Sequence, residues 1–247
     1  EEESDMVEFG MKGTFMDGRL RLNAAYYDYS IEGYQSKWDN VTARVYSAAG
    51  PAATTSQVMG GIFTNNDASI SGFDLEYAYV VNEALSLGGS ITTTDTEYDD
   101  GSIGYANDPS YMGFAAATRD VSGTPITDAA ESSLTFYLDH TVPAYWGGER
   151  YTRYNISWRD ERTSAINPDI KIKALAIANL IVGWKSSDGI WDASLFIKNA
   201  TDAVDLSNIQ GYFSDYALPG GSGLPSKFYQ GNTNMGRQIG ATLVYNF

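Results

Sequence analysis

Apolar and polar residues alternate with a period of two through most of the chain, and helical spacing is found nowhere. In Met235 to Phe247 the apolar set Ile239, Ala241, Leu243, Tyr245 and Phe247 alternates with Gln238, Gly240, Thr242 and Asn246, and Val244 is the exception. Trp191, Ala193, Leu195 and Ile197 alternate with Asp192, Ser194 and Lys198; Tyr154, Ile156 and Trp158 with Arg153, Asn155, Ser157 and Arg159. Upstream, Leu134, Phe136 and Leu138, then Phe73, Leu75, Tyr77 and Tyr79, then Val7, Phe9 and Met11 repeat the rule. Successive strand side chains point to opposite faces, so each run predicts an extended segment with one apolar and one polar face. The pattern places strands near 6–15, 20–31, 70–80, 85–97, 131–141, 150–159, 174–184, 190–199 and 235–247. Ala174 to Trp184 is apolar on both faces, yet its alanines and Asn179 still suit a strand.

The connections come in two kinds that take turns. Asp17-Gly18 makes a tight hairpin signal after the first segment, and short turns follow around Asn82 to Ala84, Pro143 to Gly148 and Ser186 to Gly189. Between them lie long stretches: Gly33 to Ala68, Tyr98 to Asp128, Asp160 to Lys173 and Ala200 to Asn234. Tight turns at one end and long loops at the other are the layout of an antiparallel up-and-down transmembrane β-barrel, whereas a soluble β-sandwich has no reason to segregate loop lengths. The whole span 1–247 reads as part of one such all-β domain. Short turns then face the periplasm, long loops face outside, and the last strand ends at the periplasmic rim. Nine strands cannot close a bacterial barrel, which needs an even number, so further strands are expected upstream.

Composition narrows the chemistry. The chain has 247 residues, no cysteine, one histidine and a formal net charge of -15. This removes disulfides and thiolate metal sites, leaves little for a zinc site, and disfavours nucleic acid, whose phosphates would be repelled. Glu1, Glu2 and Glu3 are unlike a signal peptide, and no apolar run reaches the ~20 residues of a membrane helix. Aromatics at 13%, with 18 tyrosines, fit a wet-lumen barrel in which alternate residues meet lipid.

Several blocks, in order, resemble the C-terminal part of the barrel of TonB-dependent outer-membrane receptors. Glu8-Phe9-Gly10-Met11-Lys12 through Asp17-Gly18-Arg19-Leu20 resembles the family's hairpin, and Asn66 with Gly72-Phe73-Asp74-Leu75-Glu76 resembles a later strand, with Asp74 where glutamate is usual. Lys198-Asn199-Ala200-Thr201-Asp202 resembles the block closing the penultimate strand. Gly236-Arg237-Gln238-Ile239-Gly240 through Phe247 resembles the closing strand, with Met235-Gly236 where proline is common. The resemblance implies a barrel of about 22 strands, of which these are the last nine, with a plug domain and an energy-coupling segment in N-terminal parts outside this chain. It implies an outer-membrane receptor importing a large scarce nutrient, an iron–siderophore complex by default, with oligosaccharide or cobalamin-type cargo as alternatives. A passive porin, or an adhesive or enzymatic barrel, are competing readings. The implied partners are outer-membrane lipid and lipopolysaccharide, the barrel-insertion machinery, the TonB complex and a small-molecule ligand. Phe247, with Ile239, Leu243 and Tyr245 at alternate positions, matches the family's assembly signal; the same residues also suit a lipid-facing aromatic girdle.

Candidate ligand contacts sit in the long stretches: the aromatics Tyr34, Trp38, Tyr105, Tyr111, Tyr212, Phe213 and Tyr216, with Arg119 and also Lys37 for an anionic chelate. Phe114, Phe228 and Tyr229 share these stretches. Loop aromatics equally pack on one another to keep a cap folded. Asp74 and Glu76, two residues apart, read as a charged lumen wall rather than a hydrolytic pair, and His140 as a surface histidine. Gly220-Gly221-Ser222-Gly223 lacks the lysine and helix of a phosphate loop, and Asp99, Asp100 and Asp108 match no calcium loop. No catalytic residue, metal site or cofactor is expected.

Overall fold

In a computed structural model the chain is all-β, and the structure describes residues 1–45, 56–106, 117–126, 128–163, 171–214 and 226–247. Among the described residues fifteen strands follow in order: β1 Glu3–Phe15, β2 Leu20–Val45, β3 Ser56–Asn82, β4 Leu85–Tyr98, β5 Ile103–Ala106, β6 Ala117–Asp120, β7 Ser132–Pro143, β8 Glu149–Arg159, β9 Arg162–Thr163, β10 Lys171–Ile172, β11 Leu175–Lys185, β12 Trp191–Lys198, β13 Leu206–Ser214, β14 Ser226–Thr233 and β15 Gln238–Tyr245. Nine of them form one antiparallel sheet in the order β1-β2-β3-β4-β7-β8-β11-β12-β15. The other six form three small hairpins, β5–β6, β9–β10 and β13–β14, inside the long connections.

Register turns the alternation of single strands into two continuous faces. Along one face Phe9 stands opposite Tyr26 and Tyr26 opposite Phe73; Leu75 opposes Ile91, which opposes Leu134, then Trp158 and Ala176. Leu180 opposes Ile197, which opposes Ile239. The face is not covered by any other part of the described chain: Phe9 is 71% exposed, Leu195 67% and Ile239 75%. In water so large an apolar surface is a liability; against hydrocarbon it is the correct solvent.

The opposite face is polar and internally bonded. Asn23 Nδ2 donates to Glu76 Oε2 (3.4 Å), Asn179 Nδ2 to Asn155 Oδ1 (2.7 Å), and the Ser90 and Thr135 hydroxyls lie 2.7 Å apart. Arg153 pairs with Asp139 at 3.3 Å. Aromatic rings on this face lie flat across glycines on the neighbouring strand: Tyr27 over Gly72, Tyr137 over Gly88, Tyr151 over Gly183 and Phe196 over Gly240. A Cβ at Gly183 would come within 2.2 Å of the Tyr151 ring, so only glycine leaves the ring room to lie down. Cross-strand packing of this kind holds the sheet without filling the space in front of it.

The structure corrects one expectation of the sequence pattern. The described parts of Gly33 to Ala68 are strand rather than loop: β2 runs to Val45 and β3 begins at Ser56, paired antiparallel with bulges after Ile31 and Trp38. A membrane crossing needs ~9–11 tilted residues, so the strands of this hairpin run on for roughly 50 Å of their own length past it. Beyond the hydrocarbon neither face meets lipid, so alternation lapses while the backbone ladder continues.

Candidate functional site

The core of the chain lies beyond the sheet's belt, at the long-loop end. Trp38, Ala68, Tyr98, Val121 and Ile126 are buried together, with Tyr34, Ile62, Ile70 and Tyr105 packed around them. The projecting β2–β3 hairpin supplies Trp38 and Ala68, the end of β4 supplies Tyr98, and the connection carrying β5–β6 folds back to supply Val121 and Ile126. Asn66, itself buried, fixes that fold-back: its Oδ1 accepts from Ile103 N–H (3.0 Å) and its Nδ2 donates to Ile103 O (3.1 Å), so the amide imitates a strand neighbour. Trp38 donates its indole N–H to the Thr64 hydroxyl (2.9 Å), and the Ser36 and Tyr98 hydroxyls lie 2.8 Å apart. The Tyr98 ring stands 6.2 Å from that of Tyr34 and 6.4 Å from that of Trp38.

Burial pushes the Tyr98 phenol above its usual range, against a lowering hydrogen bond from Ser36 and with Tyr34 adding to the rise. Burial does the same to Tyr34, helped by the Glu2 carboxylate.

Three expected ligand residues are therefore brought together, but as a packed unit. Trp38 is only 5% exposed and offers little surface to a ligand; Tyr34 and Tyr105 are partly buried on its flank. Arg119 lies on β6 opposite Gly104, and Lys37 on β2 opposite Phe63. Tyr212 and Phe213 stand on β13 opposite Phe228 and Lys227, and Tyr229 opposite Gly211. Tyr111, Phe114, Asp108, Tyr216 and Gly220 to Gly223 lie outside the described residues. Asp99 accepts from the Ser69 hydroxyl at 2.8 Å, a structural bond, and no group of three or more metal-ligating side chains occurs among the described residues.

Sequence reasoning missed a recess beside this cap. A cavity of about 260 Å³ opens between the end of β4 and the connections flanking β7 and β9–β10, lined by Thr94, Thr96, Asp95, Glu131, Asp160, Glu161, Arg162, Thr163 and Lys171. Both cations are engaged: Arg162 Nε with Asp128 at 2.5 Å and Lys171 Nζ with Glu161 at 2.8 Å. Carboxylates therefore dominate the lining. Nothing in the alternation pattern marks it, because residues from the end of β4 and from two connections meet only in the fold.

The root of the last long connection is a hydrogen-bond latch. Asn199, buried and at φ 50°, donates from Nδ2 to Ala203 O (2.9 Å) and Met235 O (3.2 Å), and its Oδ1 accepts from Ala203 N–H (3.0 Å). Arg237 N–H donates to Asp202 Oδ1 (2.9 Å), and Arg159 pairs with Asp205. Along β15 and just past it, Ile239, Leu243, Tyr245 and Phe247 are all strongly exposed on the apolar side, with the Tyr245 ring 4.7 Å from Trp191 and 6.3 Å from Phe247.

Among solved structures, the chain is similar to the ferric yersiniabactin uptake receptor FyuA of Yersinia pestis, with 13% identity, a TM-score of 0.65, and 100% of this chain against 30% of that one. It is also similar to the ferric-catecholate import receptor Fiu of E. coli K12 (14% identity, TM-score 0.63, 100% and 28%) and to the siderophore receptor PiuA of Acinetobacter baumannii (14%, 0.61, 98% and 28%). At this identity the likeness is one of fold, and the chain spans under a third of each neighbour's length. No curated protein matches the chain in sequence. The family model for the TonB dependent receptor-like β-barrel, however, matches residues 1–200, and with the two-faced antiparallel sheet this places the chain in that family of bacterial outer-membrane receptors.

Proposed function

We propose that the chain forms part of the wall and mouth of an outer-membrane uptake receptor, which binds a scarce nutrient at the long-loop end and imports it with TonB-type energy coupling. The observation that carries this reading is the sheet itself: nine strands, one uncovered apolar face, one polar bonded face, and both edges, β1 and β15, open for further strands of a closed barrel. Long loops lie outside the cell and the end of β15 at the periplasmic rim. Ile239, Leu243, Tyr245 and Phe247, aligned on the apolar side of β15, serve the insertion machinery as an assembly signal and afterwards face lipid.

An iron–siderophore complex is the first choice of cargo, because the three fold neighbours named above are siderophore or ferric-chelate receptors by title. In this reading Trp38 and its neighbours act as a scaffold that holds the mouth in shape, and Tyr34, Tyr105 and Arg119 at its margin, with Tyr111, Tyr212, Phe213 and Tyr216, are candidates for cargo contact. The carboxylate-rich recess favours a second cargo class. Its paired cations offer little to an anionic chelate, whereas carboxylates and threonine hydroxyls accept and donate hydrogen bonds to a neutral polyol such as an oligosaccharide. The deciding experiment is deletion of the full gene, followed by uptake of labelled ferric chelates and of oligosaccharides under limitation. Loss of uptake of one class assigns the cargo; unchanged uptake of every class refutes the transport role.

A further inference from the structure

Arg159 is the last residue of β8, and register puts it on the polar face, in the row of Arg153, Asn155 and Ser157 and opposite Ser133 of β7 and Leu175 of β11. Its partner comes from further along the chain. Asp205 stands between the latch at Asn199 and the first residue of β13, and its carboxylate pairs with the Arg159 guanidinium. On the way, the Thr201 hydroxyl donates to Ala176 O (2.7 Å), so the connection follows the end of β11 before it reaches β8. The same aspartate closes the base of the β13–β14 hairpin: its N–H donates to Asn234 Oδ1 (2.8 Å). One carboxylate therefore ties the last hairpin to a wall strand that is not its neighbour in the sheet, and it does so on the polar side.

The pairing is incomplete. The Nε–H and one Nη2–H of a guanidinium point the same way, and together they hold a two-oxygen anion through parallel hydrogen bonds. Here Asp205 Oδ1 takes Nη2, and Arg159 Nε is buried with no hydrogen-bond partner among the described residues. A charged donor cut off from water and left without an acceptor is destabilising. The two side chains are otherwise 28% and 27% exposed, so the pair is open to the mouth. An oxyanion that bridges both N–H groups satisfies the guanidinium more fully than Asp205 does, and it fits there only once Asp205 has left.

We propose that Arg159 is an oxyanion contact of the mouth, kept occupied by Asp205 until cargo bearing a carboxylate displaces it, and that the displacement frees the base of the β13–β14 hairpin. Asp205 is thus an internal competitor that lowers the apparent affinity for an anion and couples its binding to release of the last connection. This assignment rests on the uptake reading and deepens it, at a part of the mouth separate from the acidic recess.

Citrate is the probe, added to the full receptor in detergent, with sodium chloride at equal ionic strength as the control. Hydrogen exchange is followed at the amides of Asp205 and Asn234, which bond to one another's residue. Citrate should speed exchange at both roughly tenfold more than chloride does, and the β8–β11 ladder should not change. Asp205→Asn, nearly isosteric, should show the fast exchange without citrate. By calorimetry it should bind citrate roughly tenfold more tightly than the unmodified receptor, since the internal competitor is gone. Arg159→Lys keeps the charge without the paired N–H groups and should lose the preference for citrate over chloride. Citrate acting no better than chloride on the unmodified receptor would overturn the proposal; so would Asp205→Asn binding citrate no more tightly. Both results leave the uptake reading standing, because that reading falls only to unchanged uptake in the gene deletion.

Discussion

Trp38→Ala separates a scaffold role from a ligand role at the mouth. The indole is 5% exposed, lies against Gly104 so closely that a Cβ there would meet it at 2.6 Å, and donates to Thr64. Truncating a buried tryptophan to alanine costs about 3–5 kcal/mol, from lost transfer energy and the cavity left behind. The nine-stranded ladder does not depend on this side chain, so the cost falls on the contact between the β2–β3 hairpin and the connection running from Tyr98 to Ile126. At about 1.4 kcal/mol per factor of ten, the lower figure raises the open population of that contact roughly a hundredfold. Hydrogen exchange on the full receptor in detergent reads this directly. The amides of Tyr98, Val121, Gly123 and Thr124, bonded across this connection, should exchange about a hundredfold faster. Those of the β7–β8–β11 ladder should not change. Trp38→Phe should recover most of the protection. Unchanged exchange in Trp38→Ala together with weakened cargo binding would refute the reasoning and make Trp38 a ligand contact.

Other outcomes follow from the same geometry. Gly183→Val drives the Tyr151 ring off the wall and breaks its 2.7 Å bond to Asp192, so the thermal transition of the receptor in detergent should fall by the equivalent of about 1–3 kcal/mol; adding Tyr151→Ala should remove the clash and make the two changes non-additive. Asn199→Ala leaves the carbonyls of Ala203 and Met235 without its amide donor and should expose the connection after Asp202 to limited proteolysis, at a local cost of about 1–3 kcal/mol, with the β7–β8 region unaffected. For Tyr34 and Tyr98 the folded values are raised, so the stability they contribute is fully present below the ordinary phenol value near 10 and is lost as pH rises through the folded values. Spectroscopic titration compared with Tyr34→Phe and Tyr98→Phe should show these phenols ionising late, with faster exchange in the cap above that pH; ionisation of Tyr34 and Tyr98 at the ordinary value would contradict the buried cluster.

What the sequence determined by itself was the sheet. Alternation in Val7 to Met11, Phe73 to Tyr79, Leu134 to Leu138 and Ile239 to Phe247 is a local property, because neighbouring residues on a strand face opposite solvents and composition must record both. Tight turns were equally legible where glycine marks them: Asp17-Gly18, Gly147-Gly148 and Gly189 carry their own backbone requirement, with Asp17 at φ 57° and Gly18 at φ 89°. Tertiary structure decided what happens past the hydrocarbon. There lipid no longer imposes a period, so β2 and β3 continue as strands that the pattern does not announce. Whether Trp38 meets ligand or Tyr98 depends on contacts between residues about sixty positions apart. The acidic recess has the same origin, since Thr94, Glu131, Asp160 and Lys171 become neighbours only when two connections fold over the end of β4. A membrane writes its thickness into the order of residues along each strand, but a binding surface made where strands end is written only in the distances between them.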